Sequence, residues 1–459
     1  MIASPQAKSS SDVSKETLAQ RLKLFLTPFD ARYEDMRKDN WIGVAFRDVS
    51  AGLLVAMMAI PMAMGFAIAS GLRPEHGILA GAIAGLVGAL FGGSKYNVYG
   101  PVAALIPVIA GIMDKYRTPE DQFAGHGFIV LVCIISGPML LLCAAMGWGK
   151  VGNLVPHSIV VGFSAGIAVT IAMTQIGEVL GLKTTVSGTF FEKIRILSDN
   201  IGQANGEAMF IGLATFVVIR ALLSISIYIP APMLAVGMGL FLSSTIFIDD
   251  NLSLIKTKYG QIPTDFLKLT PPTMPAWDYA TFADLIFYAA AFAFVCGFES
   301  ILAARMADRL ADNQGTPYNP DKEFFGQGLI QAIVPILNGM PLSGALARRA
   351  TNIKVGAVTP LAGIMKCVWK LTLVWFLASY LERVPMACIG GILLWVAFNM
   401  IKPAEIKQVW LHNRFHAALM TYTAVMVIFT SFLTAVLSAM AIFLVLRNRL
   451  DKPAEPAAA

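Results

Sequence analysis

The chain has 459 residues, of which 56% are hydrophobic and only 14% charged, and its mean hydropathy is +0.66. Soluble domains carry roughly 25% charged residues, so this balance excludes an ordinary soluble enzyme. The net charge of +6 is scattered along the chain rather than gathered into one basic face, which argues against a nucleic-acid partner. Continuous apolar runs recur between Ser50 and Val445, where a membrane barrel would alternate. The expected class is an all-α polytopic membrane protein.

Taken from its start, the chain opens on a polar arm (1–41) with an amphipathic stretch at Leu18–Leu26 and no signal-peptide pattern. By apolar run length, about fourteen membrane segments follow. The first set covers 49–70, 76–92, 100–114, 126–147, 156–180, 207–228 and 230–248. The second covers 281–304, 324–338, 343–357, 359–381, 385–402, 413–430 and 432–447. A polar connector (249–280) separates the sets, and a short tail (448–459) ends the chain. The domains expected are therefore two repeats, 42–248 and 281–447. Seven spans in the first would make the second enter the membrane inverted.

Most of the 35 Lys and Arg residues fall on the side of Met1–Arg47, which by the positive-inside rule puts both termini in the cytoplasm and the connector outside it. The five cysteines lie in apolar spans without metal-ligand spacing and read as small packing residues.

Two segments are broken at corresponding places, at Tyr99-Gly100-Pro101-Val102-Ala103 and at Met340-Pro341-Leu342-Ser343-Gly344-Ala345. Paired breaks of this kind point to a midplane site built from half-helices. A half-helix start carries unpaired N–H groups and a partial positive charge, so two facing starts make an anion site. Pro101 suits a first-turn position, and Ser343 suits an N-cap or a substrate contact. Ordinary kinks are the competing explanation for either break alone.

Arg348, one turn beyond Ser343, would raise the positive potential there. Arg349 is read instead as a cytoplasmic-end anchor. Glu299 stands in the apolar run 292–302, where a carboxylate is costly and is a functional candidate as a proton carrier; a carboxylate held by an arginine is the alternative. Lys366 and Lys370, one turn apart, are expected to snorkel to the cytoplasmic edge. No phosphate loop, HExxH or nucleophile elbow occurs, so neither catalysis nor ATP hydrolysis is expected. No cofactor or metal is expected either.

At these residues the chain resembles the SulP family, the sulfate permease or solute carrier 26 anion transporters, over about residues 42–447. The likeness rests on Ile60-Pro61-Met62-Ala63-Met64-Gly65-Phe66-Ala67 through Gly77, Gly100-Pro101-Val102-Ala103 and Gly162-Phe163-Ser164-Ala165-Gly166 through Gln175. It continues through Glu299-Ser300-Ile301-Leu302 to Arg309, Asn319–Gln327, and Pro341-Leu342-Ser343-Gly344-Ala345 through Arg348 and Asn352. The resemblance implies a seven-plus-seven inverted repeat, with a core domain (segments 1–4 and 8–11) and a gate domain (5–7 and 12–14). It also implies elevator-like movement, a homodimer, and a bacterial inner (plasma) membrane location. The substrate site it implies lies between the third and tenth helices and takes in Met62, Phe66, Gly100, Pro101, Val102, Ala103, Ser343, Gly344, Ala345 and Leu346, with Glu299 and Arg348 as coupling and electrostatic residues.

Three departures from the family pattern matter. Met62 replaces the usual glutamine and removes one polar contact. Ala103, Ala303 and Leu346 stand where sodium-coupled bicarbonate members carry threonines, and Glu299 stands at their aspartate, which favours protons over sodium. The cytoplasmic STAS domain expected after the last span has no counterpart, as a natural short form or a truncation. The function expected is secondary transport of bicarbonate, sulfate or a dicarboxylate, coupled to protons through Glu299. Alternatives are a sodium-coupled bicarbonate transporter, an uncoupled anion channel, and a nucleobase:proton symporter of the same architecture; the last uses acidic residues on both the eighth and tenth helices, where the tenth segment here carries arginine.

Overall fold

A computed structural model describes residues 18–118, 120–149, 155–248, 252–266, 268–430 and 432–450. It is almost entirely helical. After a short arm helix α1 (Leu18–Phe25) come α2 (Trp41–Ala69), α3 (Pro74–Phe91), α4 (Ile106–Tyr116) and α5 (Gly125–Ala145). Next are α6 (His157–Val179), α7 (Phe190–Asn200), α8 (Gly206–Ile225), α9 (Ala231–Thr245) and the small α10 (Ile255–Tyr259). The second half runs α11 (Tyr279–Leu310), α12 (Pro320–Ile333), α13 (Leu346–Lys354), α14 (Leu361–Leu381) and α15 (Met386–Met400), then α16 (Pro403–His412), α17 (Arg414–Phe429) and α18 (Phe432–Leu450). Among the described residues, eight helices are long and apolar enough to cross a membrane.

The helix ends follow from local chemistry. Gly71 takes φ +75 after α2, which lets Leu72 N–H return to Ala67 O at 2.9 Å; Gly181, at φ +67, ends α6 the same way, with Leu182 N–H on Gly177 O at 3.0 Å. Side-chain oxygens of Asp278 and Asn319 accept from the first free amides of α11 and α12.

The packing repeats itself. The elements α2–α5 correspond in order to α11–α14, α6 to α15, α8 to α17 and α9 to α18. Principal contacts in one half have counterparts in the other: α2 on α14 matches α11 on α5, α3 on α14 matches α12 on α5, and α6 on α17 matches α15 on α8. One body therefore consists of α2–α5 with α11–α14, and a second of α6, α8, α9, α15, α17 and α18. Core and gate bodies meet where α2 touches α9 and α15. Apolar side chains such as Phe241, Trp375 and Phe376 point outward, as lipid-facing helices require.

Two two-residue strands join the halves. Strand β1 (Tyr99–Gly100) pairs antiparallel with β2 (Ser343–Gly344), Tyr99 opposite Gly344 and Gly100 opposite Ser343. This corrects two local expectations. Ser343 is not an N-cap, because α13 starts at Leu346 with Ala345 ahead of it. Pro101 is not in the first helical turn; it precedes a 3-10 turn at Ala103–Leu105, and Pro107 occupies the start of α4. The backbone at each break hydrogen-bonds across the halves instead, which satisfies its polar groups away from water.

The arm is docked. Lys322 Nζ, 2% exposed, donates to Leu24 O (3.1 Å), Thr27 O (2.8 Å) and Asp30 Oδ2 (2.7 Å), while Tyr33 Oη donates to Ala89 O at 3.0 Å. Residues 1–17 and 451–459, where the rest of the arm and the tail were expected, lie outside the described residues.

Candidate functional site

Between the two bodies lies a cavity of about 260 Å³. Val55, Met58, Met62 and Phe66 face it from α2 at helical spacing. Across from them, α6 contributes Phe163 and Ser164, and α15 contributes Trp395 and Asn399. The floor is formed by Val102, Ala103 and Ala104 from the first break, Ala345, Arg348 and Thr351 from the second, and Glu299, Leu302 and Ala303 from α11. Exposed Lys402 stands at the rim. Apart from Ser164 and Asn399 the walls are apolar, and the floor carries one carboxylate and one guanidinium.

Of the residues expected at the site, Met62, Phe66, Val102, Ala103, Ala345, Glu299 and Arg348 line this cavity. Gly100, Pro101, Ser343 and Gly344 do not line it; they form the strand pair and its exit behind the floor. Leu346 opens α13, and its side chain lies outside the described residues.

Glu299 and Arg348 are held differently. Ser343 Oγ donates to Glu299 Oε2 at 2.6 Å, and among the described residues no cation lies within 4.0 Å of this carboxylate. Arg348 is buried; its guanidinium donates to Pro101 O and sits 5.9 Å from the centre of the Phe66 ring. The arginine thus ties the second half-helix to the first break while presenting charge to the cavity.

Behind the strands lies a polar hub that the sequence reading missed. Glu323, on α12 and fully buried, accepts from Gly93 N–H (2.9 Å), Tyr99 Oη (2.9 Å), Ser300 Oγ (2.5 Å) and the Asn97 side-chain amide. Arg349 is its ion-pair partner at 3.7 Å and donates to Ser300 O at 3.3 Å. Arg349 is therefore not an interfacial anchor. At 1% exposed, it turns inward because consecutive residues of a helix point about 100° apart, so Arg348 faces the cavity and Arg349 faces α12.

Lys366 and Lys370 do not snorkel either. They are 2% and 0% exposed, and Lys366 Nζ donates to Tyr99 O at 2.7 Å. Glycines on α3 make room for them: a Cβ on Gly85 would stand 2.8 Å from Lys366 Cε, and one on Gly81 would stand 2.5 Å from Lys370 Nζ. Charged residues inside apolar spans were the available signal. Glu323 escaped it because it stands one residue before the segment read as 324–338. Among the described residues, no cluster of three or more His, Cys, Asp or Glu side chains could hold a metal.

Comparison with known proteins agrees with this architecture. The chain is 34% identical over 364 residues to YvdB of Bacillus subtilis (strain 168), named as a candidate sulfate transporter, covering 79% of this chain and 66% of YvdB. It is 25% identical over 367 residues to the bicarbonate transporter BicA of Picosynechococcus sp., covering 79% of this chain and 62% of BicA. The chain spans about two thirds of the length of these relatives.

Its fold is similar to the transmembrane domain of a cyanobacterium bicarbonate transporter BicA (TM-score 0.75, 22% identity, 86% of this chain and 96% of that one). It is also similar to the murine solute carrier 26 family member A9 anion transporter in the inward-facing state (TM-score 0.80, 16% identity, 98% and 76%). With the sulfate permease family matched over residues 46–424, the chain belongs to that family and is a multi-pass membrane protein.

Proposed function

We propose that this chain is a secondary transporter of small anions, coupled to protons through Glu299, with the cavity between core and gate bodies as its substrate site. The observation that carries this reading is the floor of that cavity. Two broken segments from opposite halves meet there, with the 3-10 turn that leads into α4, the start of α13, the Arg348 guanidinium and the Glu299 carboxylate around one space. An anion on this floor meets a permanent cation and two helix starts. A proton on Glu299 would remove the one charge that repels it. Glu299 suits that task because its recorded partner is a hydroxyl, which can donate to the carboxylate or accept from the carboxylic acid.

Family membership supports the chemistry, since YvdB and BicA are named for sulfate and bicarbonate. Alternating access would move the core body against the gate body, the two being joined chiefly through α2 and its contacts. Exposed Lys402 at the rim stands at the segment end that the Lys and Arg distribution assigns to the cytoplasm, which supports an inward-facing conformation. Sodium coupling is disfavoured because Ala103 and Ala303 put no hard oxygen ligand beside Glu299. A homodimer in the bacterial plasma membrane is the assembly proposed.

The test is uptake into proteoliposomes of labelled bicarbonate, sulfate and fumarate, each with and without sodium and an inward proton gradient. Uptake of at least one anion, stimulated by the proton gradient and indifferent to sodium, is expected. Sodium dependence would replace the proton as coupling ion, and gradient-independent flux would make the protein a channel.

A further inference from the structure

Four buried cations lie behind or beside the floor, and only Arg349 has a carboxylate within 4.0 Å among the described residues. Arg348, Lys366 and Lys370 converge on the short stretch Tyr99–Pro101. Arg348 binds Pro101 O, and Lys366 binds Tyr99 O at 2.7 Å. A Cβ on Gly81 would lie 2.5 Å from Lys370 Nζ, 3.5 Å from Pro101 Cδ and 3.8 Å from Gly100 Cα, which puts that ammonium against the same stretch. Lys370 Nζ has no hydrogen-bond partner among the described residues. A buried unpaired cation is costly unless something compensates it.

The pair Arg349–Glu323 is neutral as a unit, so Glu299 is the one acid lining the cavity that is left to face three cations. With Lys366 and Lys370 protonated, the site holds a positive excess that one monovalent anion does not balance. The reading rests on the transport function proposed above and sharpens its substrate class. We propose that Lys366 and Lys370 are specificity-determining residues that set the site for a divalent oxyanion, such as sulfate or a dicarboxylate, over a monovalent one. They act from behind β1, through the field at the start of the first half-helix, rather than by contact. Glycine at 81 and 85 is part of the device, because any side chain on α3 there would displace the ammonium groups.

Coulomb's law at an effective dielectric of about 20 gives roughly tenfold in affinity for one added unit of substrate charge facing one fixed cation a nanometre away. The experiment compares sulfate with nitrate on the purified full chain, by ligand-dependent thermal shift and by uptake into proteoliposomes. Wild-type protein is expected to bind sulfate at least tenfold more tightly than nitrate. In Lys370→Met and Lys366→Met, of similar length and lacking the charge, that ratio is expected to fall about tenfold with nitrate affinity nearly unchanged.

Equal affinity of the wild type for the two anions overturns the inference, whether or not the variants fold. So does a parallel loss of both affinities in folded variants, which is what a merely structural role would give. The transport reading itself fails differently, by absence of uptake of any anion by wild-type protein; uptake without a preference for the dianion leaves that reading standing and removes this one.

Discussion

Ser343 Oγ donates to Glu299 Oε2 at 2.6 Å, so the second strand and the eighth membrane segment share one hydrogen bond at the cavity wall. The bond holds the carboxylate over the floor. It also survives protonation, since the same two oxygens can exchange the roles of donor and acceptor. A proton can therefore come and go without dismantling the strand pair.

Glu299→Gln keeps a carbonyl oxygen for Ser343 but cannot take up a proton. Its expected phenotype is a folded protein, with a melting temperature within a few degrees of wild type, whose uptake no longer responds to pH. Retained pH dependence in proteoliposomes would remove Glu299 from the coupling role. Ser343→Leu should abolish uptake altogether, because Ser343 is fully buried and a leucine there pushes into Glu299.

Arg349 and Glu323 behave as a structural pair. Removing either leaves the other charge buried and unpaired, at a cost of about 3–5 kcal/mol. Glu323→Ala and Arg349→Met should each lower the melting temperature sharply in detergent, and the double variant should lose less than the sum of the two. Additive losses would show that the two side chains do not act on each other.

Apolar run length alone placed the apolar helices but not the short polar α7, α10 and α16, because a bilayer-spanning helix must be about twenty residues long and its ends fall where charge begins. The strand pair was not legible, since Tyr99 finds Gly344 far along the chain and no local pattern encodes that partner. Lacking it, the sequence reading put Ser343 at a helix cap and Pro101 in a first turn. Lys366 and Lys370 were misplaced for a related reason. Their snorkelling is a rule for helices that face lipid, and whether α14 buries that face depends on Gly81 and Gly85 of another helix. Glu299, Arg348 and the residues beside the breaks stood out because breaks, a lone acid and a nearby arginine are costly enough in a membrane to mark function, whereas the α6 and α15 side chains across the cavity carried no such signal.

The arm offers a pH prediction outside the spans. Hydrogen bonds from Lys38 and Lys95 hold the Asp35 carboxyl below its ordinary range. Burial pushes Asp30 up, but the charges and hydrogen bonds of Arg32 and Lys322 outweigh it and leave that carboxyl low as well. A carboxylate depressed on folding contributes stability above its unfolded value, about 3.9, and loses it as pH falls through the lower folded value. The arm should therefore stay docked at neutral pH and loosen only below about pH 4, seen as pepsin cleavage between residues 18 and 38. Lys322→Met should free it at pH 7, read as faster hydrogen exchange over the same residues; unchanged exchange would mean that Lys322 does not hold the arm.

Gly88 tests whether the hub and the strands form one unit. A Cβ there would run into Tyr99 Cε2, so Gly88→Ala must displace the ring of the residue whose hydroxyl reaches Glu323 and whose backbone oxygen holds Lys366. Overpacking of this kind costs about 1–3 kcal/mol, and the melting temperature should fall accordingly. Gly237 on α9, with nothing within 4 Å of an added Cβ, is the comparison; alanine there should leave stability unchanged or slightly raised. Adding Tyr99→Val to Gly88→Ala frees the space and should cost less than the two single changes summed, because valine has already given up the Glu323 contact. A sum equal to the single effects would mean that the ring is not what the new methyl meets.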